Sequence, residues 1–403
     1  MKRILCLLMP YSGHFFPHIN LLRLLASKGA FVRVYCDRKF QPHVPQEFIS
    51  LENYPQEIVN YCQYIANYQK DRERAAKEYF SYMADGKIIA LRRQREEEMA
   101  CCLAERLGDA VRRFSPEIVL YDAQAPFTIR LRQEIPCPQF ELNASTFLPK
   151  LWQSPSFQRY YQEILRPSYP GAIDYDQILA LQRKNGRKEN RKQAISFGYL
   201  SPMLQDEFEK IPDTCKSIGF QMTAPRSEKR DGIYITRGTV SESHGAFLLY
   251  DTVNALSGCP EPIHVSCGAN FYVKQLFEKQ SFAQHVHIHS YTDQKQMLAN
   301  SRVFVTHGGI TGVREAIFAH IPMLVIPANF PDYQVGQAIE KNHAGILIRK
   351  RPLHKEEIRE SYEKICRHYD DYLDGVAHMA KELNAYWSQY GAEAVWKECE
   401  QAL

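Results

Sequence analysis

The stretch Val303-Phe-Val-Thr-His307-Gly-Gly-Ile-Thr-Gly-Val-Arg-Glu315-Ala decides the fold of this chain. Its first four residues are apolar or β-branched, which is typical of a buried strand, and a glycine turn then leads into helical spacing. A glycine loop between a strand and a helix directs backbone N–H groups and the positive helix end toward an anion. The stretch predicts a Rossmann-like diphosphate site to which His307 donates a hydrogen bond, although a His-Gly-Gly turn alone is equally typical of a tight structural turn.

Short apolar runs and amphipathic segments alternate on both sides of this stretch. Strand, helix and strand in that order imply a parallel sheet with right-handed crossovers. The sequence therefore predicts an α/β fold with two Rossmann-like parallel-sheet domains. The predicted strands are residues 2–8, 31–36, 117–121 and 137–142 in the first half and 232–236, 263–266, 286–289, 303–306 and 323–326 in the second, with first-half helices at 19–27 and near 128–133.

The length of 403 residues exceeds what one ordinary core accommodates, so two domains are expected. We predict a first domain over residues 1–212, a second over residues 216–380 and a C-terminal helix over residues 381–403. The polar, proline-containing segment 223–231 has the composition of a hinge between rigid domains.

Two inserted stretches depart from the alternation of strands and helices. Residues 54–98 are rich in tyrosine and charge, and residues 151–192 end in the basic run 183–192. Both have helical composition. We expect them either to cover the core as solvated helices or to form a substrate-binding lid lined by tyrosine and phenylalanine.

Composition and charge exclude several classes of protein. A net charge of +4 with basic residues scattered among acidic ones disfavours a nucleic-acid surface. The apolar run 4–9 is too short for a membrane span and lacks a cleavage site, so neither a signal peptide nor a membrane association is expected. Eleven cysteines without a CxxC pair indicate a reducing cytoplasm rather than a disulfide framework or a zinc knuckle.

In its motifs the chain resembles the nucleotide-sugar-dependent glycosyltransferases of the GT-B fold, in the macrolide and plant natural-product family (glycosyltransferase family 1). The resemblance covers nearly the whole chain in order and spacing. It implies two Rossmann-like domains that face a cleft, with the acceptor bound by the first and the nucleotide sugar by the second. The residues that carry it in the second half are His307, Gly308, Gly309, Glu315, Pro322, Pro327 and Gln334.

This resemblance implies a donor-binding site in the second domain. His307 and the loop amides would hold the diphosphate, Glu315 would accept hydrogen bonds from the ribose, and Tyr291 would stack on the base whose edge the Thr292 backbone reads. Loop structure without ligand contact is the alternative for the segments around Arg237 and Tyr291. The implied donor-binding residues are Arg237, Thr239, Tyr291, Thr292, Gln294, His307, Gly308, Gly309, Thr311, Gly312, Glu315, Asp332 and Gln334.

A catalytic pair is implied in the first domain. Gly13-His14-Phe-Phe-Pro17 looks like the family's Gly-His-x-x-Pro loop, and Asp122 is similar to the carboxylate partner of its histidine. Imidazole titrates near neutrality, where general-base catalysis is effective, and a carboxylate on the far nitrogen fixes the tautomer. Alone, such a histidine is more often a structural hydrogen bonder and such an aspartate a helix cap.

The chain departs from the family at three places. Gly312 stands where most relatives have a serine that bonds a phosphate, and His320 replaces a customary glycine, which predicts a packing change. In the segment Asp332-Tyr333-Gln334 the register puts Tyr333, rather than Asp332, in the place of the acid that reads sugar hydroxyls. A deoxy or otherwise altered sugar is therefore compatible with the sequence.

The predicted activity is that of an inverting hexosyltransferase that uses a UDP-sugar, or alternatively a dTDP-sugar, and a small natural-product-like acceptor. Neither a metal nor another cofactor is expected, because the glycine loop and helix end meet the charge of the leaving diphosphate. Closure is expected about residues 223–231, with a last helix at 392–402 that folds back on the first domain. The sequence gives no oligomeric state.

Two alternatives to this activity stay open. One is a catalytically inactive relative that binds a nucleotide and acts as a partner protein, which the altered acid position favours and the pair of His14 and Asp122 disfavours. The other is a nucleotide-sugar 2-epimerase of the same architecture, which has no use for the Gly-His-x-x-Pro loop. A peripheral lipid glycosyltransferase is a variant of the main prediction with another acceptor.

Overall fold

Two parallel β-sheets with helices against their faces make up the fold, which confirms the predicted α/β class with two Rossmann-like domains. None of the helices described is long and apolar enough to cross a bilayer. The structure is a computed structural model that describes residues 1–70, 86–144, 154–168, 174–177, 179–180, 194–199, 201–205, 211–220, 227, 230–238, 243–267, 277, 282–290 and 292–403.

The first sheet has seven strands. They are β1 (Arg3–Leu7), β2 (Phe31–Cys36), β3 (Ile49–Asn53), β4 (Ile118–Asp122), β5 (Gln139–Asn143), β6 (Ser196–Gly198) and β7 (Cys215–Ser217). Their order is β3-β2-β1-β4-β5-β6-β7, and all neighbours are parallel. In the interior strand β1, Ile4 pairs with Val32 on one side and Ile118 on the other. Because the sheet is covered on both faces, β1 and β4 read as continuous apolar runs.

Helices pack on both faces of this sheet. Ile19–Ser27 is amphipathic, and it buries Leu21, Leu22 and Leu25 against the strands. The α-helical segments are Ser12–Phe15, Ile19–Ser27, Gln56–Lys70, Gly86–Phe114, Ile129–Gln133, Pro155–Tyr160 and Arg166–Ser168, with 3-10 turns at Phe16–His18, Arg38–His43 and Pro126–Thr128 and a π turn at Tyr161–Leu165.

The second sheet has six parallel strands. They are β8 (Ile233–Thr236), β9 (Ile263–Ser266), β10 (Val286–His289), β11 (Val303–Thr306), β12 (Met323–Val325) and β13 (Gly345–Leu347). Their order is β10-β9-β8-β11-β12-β13, so β10 and β13 are the edges. The helices of the second half are Ser243–Leu256, Gln294–Asn300, Ile310–Ala319, Phe330–Lys341, Lys355–Arg367, Tyr369–Tyr390 and Glu393–Gln401.

The structure corrects the domain boundary placed between residues 212 and 216. β7 (Cys215–Ser217) pairs with β6, so it belongs to the first sheet and not to the second domain. A three-residue strand carries too short a pattern to be recognised from sequence, so the sequence does not indicate that the first sheet extends to residue 217. Most of the predicted hinge 223–231 lies outside the described residues.

The chain returns to the first domain at its C-terminus. In the helix Glu393–Gln401, Glu393 forms an ion pair with Lys28 (3.2 Å) and Glu398 accepts a hydrogen bond from Lys216. The Trp396 ring lies under the ammonium group of Lys2, 4.9 Å from it. The last helix is therefore in contact with the first domain, one residue shorter at each end than the predicted 392–402.

Trp387, in the helix Tyr369–Tyr390, is buried where both domains meet. Its ring packs so closely on Gly219 that a Cβ atom there would lie 2.3 Å from the indole. The Arg314 guanidinium of the second domain lies 4.6 Å from the Trp387 ring and 4.3 Å from the ring of Tyr199 in the first. Arg314 and Trp387 thus join the two domains and the helix Tyr369–Tyr390 in one buried contact.

A second contact between the domains comes from the inserted stretch 151–192. Phe157 and Tyr160 pack against Phe330, with ring centroids 5.1 and 5.5 Å apart, and Tyr160 also packs against Tyr333 at 5.4 Å. Within the described part of this stretch, the helix Pro155–Tyr160 thus places buried aromatic side chains between the domains while its other side is exposed. The basic run 183–192 lies outside the described residues.

His18 is a fully buried histidine that stacks on Tyr199, with ring centroids 6.0 Å apart. In the described part of the chain neither of its ring nitrogens has a hydrogen-bond partner. Burial lowers the pKa of His18 to about 4; the neighbouring Asp122 opposes this effect, while His14 and Arg314 add to it.

His18 should make the stability of the protein sensitive to mild acid. In the unfolded chain the His18 ring takes up a proton near its ordinary pKa of 6.5, whereas in the folded chain the same ring stays neutral down to about pH 4. The free energy of unfolding should therefore fall, by roughly 3 kcal/mol in all, as the pH decreases through this interval. His18→Phe should remove that part of the slope, since phenylalanine can stack on Tyr199 and binds no proton.

Urea unfolding of wild type and variant at about pH 7.5 and about pH 5 measures this slope. The matched control is His354→Asn, because His354 is exposed and its loss should leave the wild-type slope unchanged. An equal slope in wild type and His18→Phe would contradict the assignment.

Candidate active site

His14 and Asp122 lie side by side at the carboxyl ends of neighbouring strands. His14 is in the helix Ser12–Phe15 that follows β1, and Asp122 is the last residue of β4. Because β1 and β4 are paired in parallel, both ends open on the same edge of the first sheet. Nδ1 of His14 is 2.7 Å from Oδ2 of Asp122. Nε2 is the ring nitrogen that this contact leaves for a substrate.

The Asp122 carboxylate is buried and held by backbone donors. Its Oδ1 accepts from the N–H of Gln124 (2.8 Å), and its Oδ2 accepts from the N–H of Met9 (3.3 Å). Burial acts to raise the pKa of Asp122, but the hydrogen bond with His14 and the Gln124 N–H outweigh it, and the pKa lies below its ordinary value. The group is therefore a carboxylate that fixes the imidazole.

Tyr11 is a neighbour of this pair that the sequence analysis missed. Its ring meets that of His14 edge to face, with centroids 6.1 Å apart, and its hydroxyl donates to the carbonyl of Cys62. Cys62 is in the helix Gln56–Lys70, part of the inserted stretch 54–98. The sequence feature that could have indicated Tyr11 is its position in the same loop as His14.

The loop after β11 has the strand, glycine turn and helix that its sequence predicts. Gly308 has a φ of +98°, which favours glycine, and its N–H donates to Oγ1 of Thr306 (3.2 Å). The helix Ile310–Ala319 begins after Gly309 without a capping side chain. Thr311 and Gly312 are in its first turn, so their N–H groups are among those an α-helix leaves without an internal partner.

His307 is enclosed by two glycines. A Cβ atom at Gly309 would lie 2.5 Å from Nε2 of His307, and one at Gly238 would lie 2.9 Å from Cε1. Burial, with a smaller effect of the nearby Arg237 charge, lowers the pKa of His307 to about 3. Nδ1 of His307 has no hydrogen-bond partner among the described residues. The ring is thus neutral and held beside the segment that carries Arg237.

Glu315 and Gln294 are brought together beside this loop. Nε2 of Gln294 donates to Oε2 of Glu315 at 2.6 Å, and burial raises the pKa of Glu315 above its ordinary value. Thr292 lies near them, with Oγ1 2.9 Å from the hydroxyl of Tyr234. Two of the predicted donor-binding residues, Thr239 and Tyr291, lie outside the described residues.

The segment Asp332-Tyr333-Gln334 forms the start of the helix Phe330–Lys341. The Asp332 carbonyl approaches Gly308 so closely that a Cβ atom there would be 2.7 Å away. Gln334 is fully buried, and neither polar atom of its amide has a hydrogen-bond partner within the described ranges. Asp332 therefore lies against the glycine loop. The buried amide of Gln334 still needs hydrogen-bond partners.

Tyr333 makes a different contact from the one expected of an acid that hydrogen-bonds sugar hydroxyls. It is fully buried, and its hydroxyl donates to Oε2 of Glu163, 2.5 Å away in the first domain. Arg349 joins the contact with its Nε 3.1 Å from Oε2 of Glu163 and also pairs with Glu340. The residue in the acid position thus belongs to the contact between the domains.

The other two departures have simple structural explanations. His320 ends the helix Ile310–Ala319 with a φ of +52°, a left-handed conformation that a glycine adopts without strain. A Cβ atom at Gly312 would lie 3.5 Å from Nε2 of Gln294, which is ordinary contact. Space for a serine is present at 312.

Part of the chain matches a known family model. Residues 243–385 match the glycosyltransferase family 28 C-terminal domain, and this range includes the glycine loop.

Two relatives from Bacillus subtilis (strain 168) are named as uncharacterized UDP-glucosyltransferases. YdhE is 28% identical over 197 residues, which are 46% of this chain and 48% of the relative, so that match spans about half of each protein. YojK is 19% identical over 405 residues, which cover 96% of this chain and 94% of the relative.

Solved structures match over the full length. The spinosyn rhamnosyltransferase SpnG complexed with thymidine diphosphate has a TM-score of 0.64 at 14% identity and covers 99% of this chain and 100% of its own. SpnG complexed with spinosyn aglycone gives the same values. CalG4, the calicheamicin glycosyltransferase, has a TM-score of 0.64 at 18% identity and covers 100% of this chain and 98% of its own. At such identities the likeness is one of fold.

Proposed function

We propose that this chain, a glycosyltransferase of the GT-B fold, transfers a sugar from a nucleotide diphosphate to a small acceptor in one inverting displacement. The observation that carries the proposal is the 2.7 Å contact between His14 and the buried carboxylate of Asp122. This contact gives His14 the form of a base with a fixed tautomer. The pair lies at the carboxyl edge of a parallel sheet, where ligands of such sheets bind. The second domain offers an uncapped helix after a glycine loop.

The chemistry follows from these positions. Nε2 of His14 takes the proton of the acceptor hydroxyl while the acceptor oxygen bonds to the anomeric carbon of the sugar. The bond between that carbon and the diphosphate oxygen breaks, and the electron pair leaves with the diphosphate. The buried Asp122 carboxylate stabilises the imidazolium that forms.

The charge of the leaving diphosphate is met by donors that are already in place. These are the N–H groups of the first helical turn at Thr311 and Gly312, the neutral His307 ring and the cationic Arg237. Glu315, next to Gln294, is placed to accept hydrogen bonds from a ribose. With this set of donors the transfer requires no metal ion and no further cofactor.

The donor we favour is a UDP-sugar, with a dTDP-sugar as the second choice. Two relatives carry the name UDP-glucosyltransferase, while SpnG was crystallised with thymidine diphosphate. The sugar is read by Gln334 and Asp332 without an acid at position 333, since Tyr333 is engaged with Glu163. The acceptor is a small natural-product-like molecule, and one solved structure of the spinosyn rhamnosyltransferase SpnG is a complex with spinosyn aglycone.

The first test is the rise in melting temperature with UDP, dTDP, GDP and their sugar conjugates. A nucleotide at about 100 times its Kd stabilises the folded chain by about 2.7 kcal/mol. We expect the largest shift with UDP. Glu315→Ala should weaken nucleotide binding about tenfold or more, because it removes a charged acceptor from a half-buried position. Glu356→Ala, which changes an exposed glutamate, is the control and should bind as wild type does.

The outcomes separate the possible functions. A shift with one nucleotide, followed by transfer of sugar to an acceptor, supports the proposal. A shift without hydrolysis or transfer of any sugar would favour the inactive relative. The absence of a shift with every nucleotide would contradict the donor site itself.

A further inference from the structure

Three histidines form a cluster at the edge of the second sheet. His287 and His289 are two residues apart in the edge strand β10, so both project from the same face, and His264 is in the neighbouring strand β9. The parallel register pairs His264 with His287. The three rings are nearly parallel, with the His264 centroid 5.0 Å from that of His287 and 5.5 Å from that of His289.

Two ring nitrogens of this cluster face each other. Nδ1 of His264 is 3.3 Å from Nε2 of His289. Two imidazole nitrogens that bind one tetrahedral zinc ion at 2.0–2.1 Å are also roughly 3.3 Å apart. The separation needed by a shared metal ion is therefore present before any ion binds.

The hydrogen bond between His264 and His289 is compatible with metal binding. A neutral imidazole is the form that ligates metals. In the His264–His289 hydrogen bond one ring donates its N–H. To bind an ion with both nitrogens, that ring only has to move its proton to its other nitrogen through solvent.

We propose that a divalent transition-metal ion that prefers imidazole, of the class of zinc and nickel, binds between Nδ1 of His264 and Nε2 of His289. His287 borders the site on the exposed side. In the part of the chain that the structure describes, no group of three or more histidine, cysteine or acidic side chains is placed to hold a metal ion together, so the protein supplies two ligands. The ion therefore takes its remaining ligands from water.

This site is separate from the transfer chemistry. It has no role in the proton or bond changes of the proposed reaction, and it does not depend on the proposed function. His289 precedes Thr292 by three residues, so the site adjoins the segment that we assign to the nucleotide base.

The test is calorimetric titration of the untagged protein with NiCl2 at about pH 7.5 and about pH 5. Nickel is the probe because the chain has eleven cysteines, Cys101 among them exposed, that would compete for zinc. We expect one ion per chain at the higher pH and weaker binding at the lower pH, because protons compete with the metal ion for imidazole nitrogens. His289→Asn and His264→Asn should each weaken binding about tenfold or more.

Two controls make the test specific. His354→Asn, which removes an exposed histidine elsewhere, should bind nickel as wild type does. Circular dichroism reports whether each variant folds, and if His264→Asn does not, His289→Asn in the edge strand carries the test alone. Saturable binding that survives His289→Asn unchanged, or no saturable binding at neutral pH, would overturn the proposal.

Discussion

Replacing His14 by alanine is expected to lower kcat about 10²- to 10⁴-fold, the range that a positioned general base contributes. The reason is geometric. Nδ1 of His14 is occupied by the Asp122 carboxylate at 2.7 Å, which leaves Nε2 to take the acceptor proton. Nucleotide affinity should not change, because the glycine loop that we assign to the diphosphate is in the other domain.

The measurement is the initial rate of sugar transfer, with the nucleotide-induced melting shift measured on the same samples. His43→Ala is the matched control, since His43 is an exposed histidine of the same domain and should leave kcat near the wild-type value. A His14→Ala variant that transfers sugar at close to the wild-type rate would show that another group removes the proton.

Trp387→Ala is expected to lower the free energy of unfolding by about 3–5 kcal/mol, the usual cost of truncating a large buried aromatic residue. The indole packs against Gly219, Phe318 and the guanidinium of Arg314. Truncation leaves a cavity and takes from the buried Arg314 one of its two aromatic neighbours. Both effects lower the free energy of unfolding.

Urea unfolding followed by circular dichroism measures this loss. Tyr390→Ala is the control on the same helix, and because Tyr390 is exposed its truncation should change stability by no more than about 0.5 kcal/mol. Equal free energies of unfolding for the two variants would mean that the Trp387 contact contributes little to the stability of the folded protein.

The sequence was sufficient to predict those strands whose apolar runs end at clear turn signals. Four strands have the predicted bounds: Phe31–Cys36, Ile263–Ser266, Val286–His289 and Val303–Thr306. The missed strands are Ile49–Asn53, which alternates with polar residues, and three strands of three residues each, Ser196–Gly198, Cys215–Ser217 and Gly345–Leu347. Such short segments are strands only because a neighbour supplies their hydrogen bonds, which a sequence pattern does not record.

Candidate site residues were predictable where they are close in sequence to a glycine turn or a strand end. His14 and the loop from His307 to Gly309 belong to that kind, and their roles stay predictions until tested. The contact of Tyr333 with Glu163 joins residues of different domains, and no local pattern indicates it. The same holds for Tyr11 and Cys62, whose hydrogen bond connects a strand-end loop to a distant helix.

The return of the last helix to the first domain has a consequence for recombining this protein with its relatives. The first domain is made of two pieces of chain, residues before about 217 and the helix Glu393–Gln401, with the second domain inserted between them. A chimera with a single junction would place a foreign helix against Lys2, Lys28 and Lys216. Replacing the second domain with that of a relative therefore requires two crossover points, one after β7 and one before Glu393.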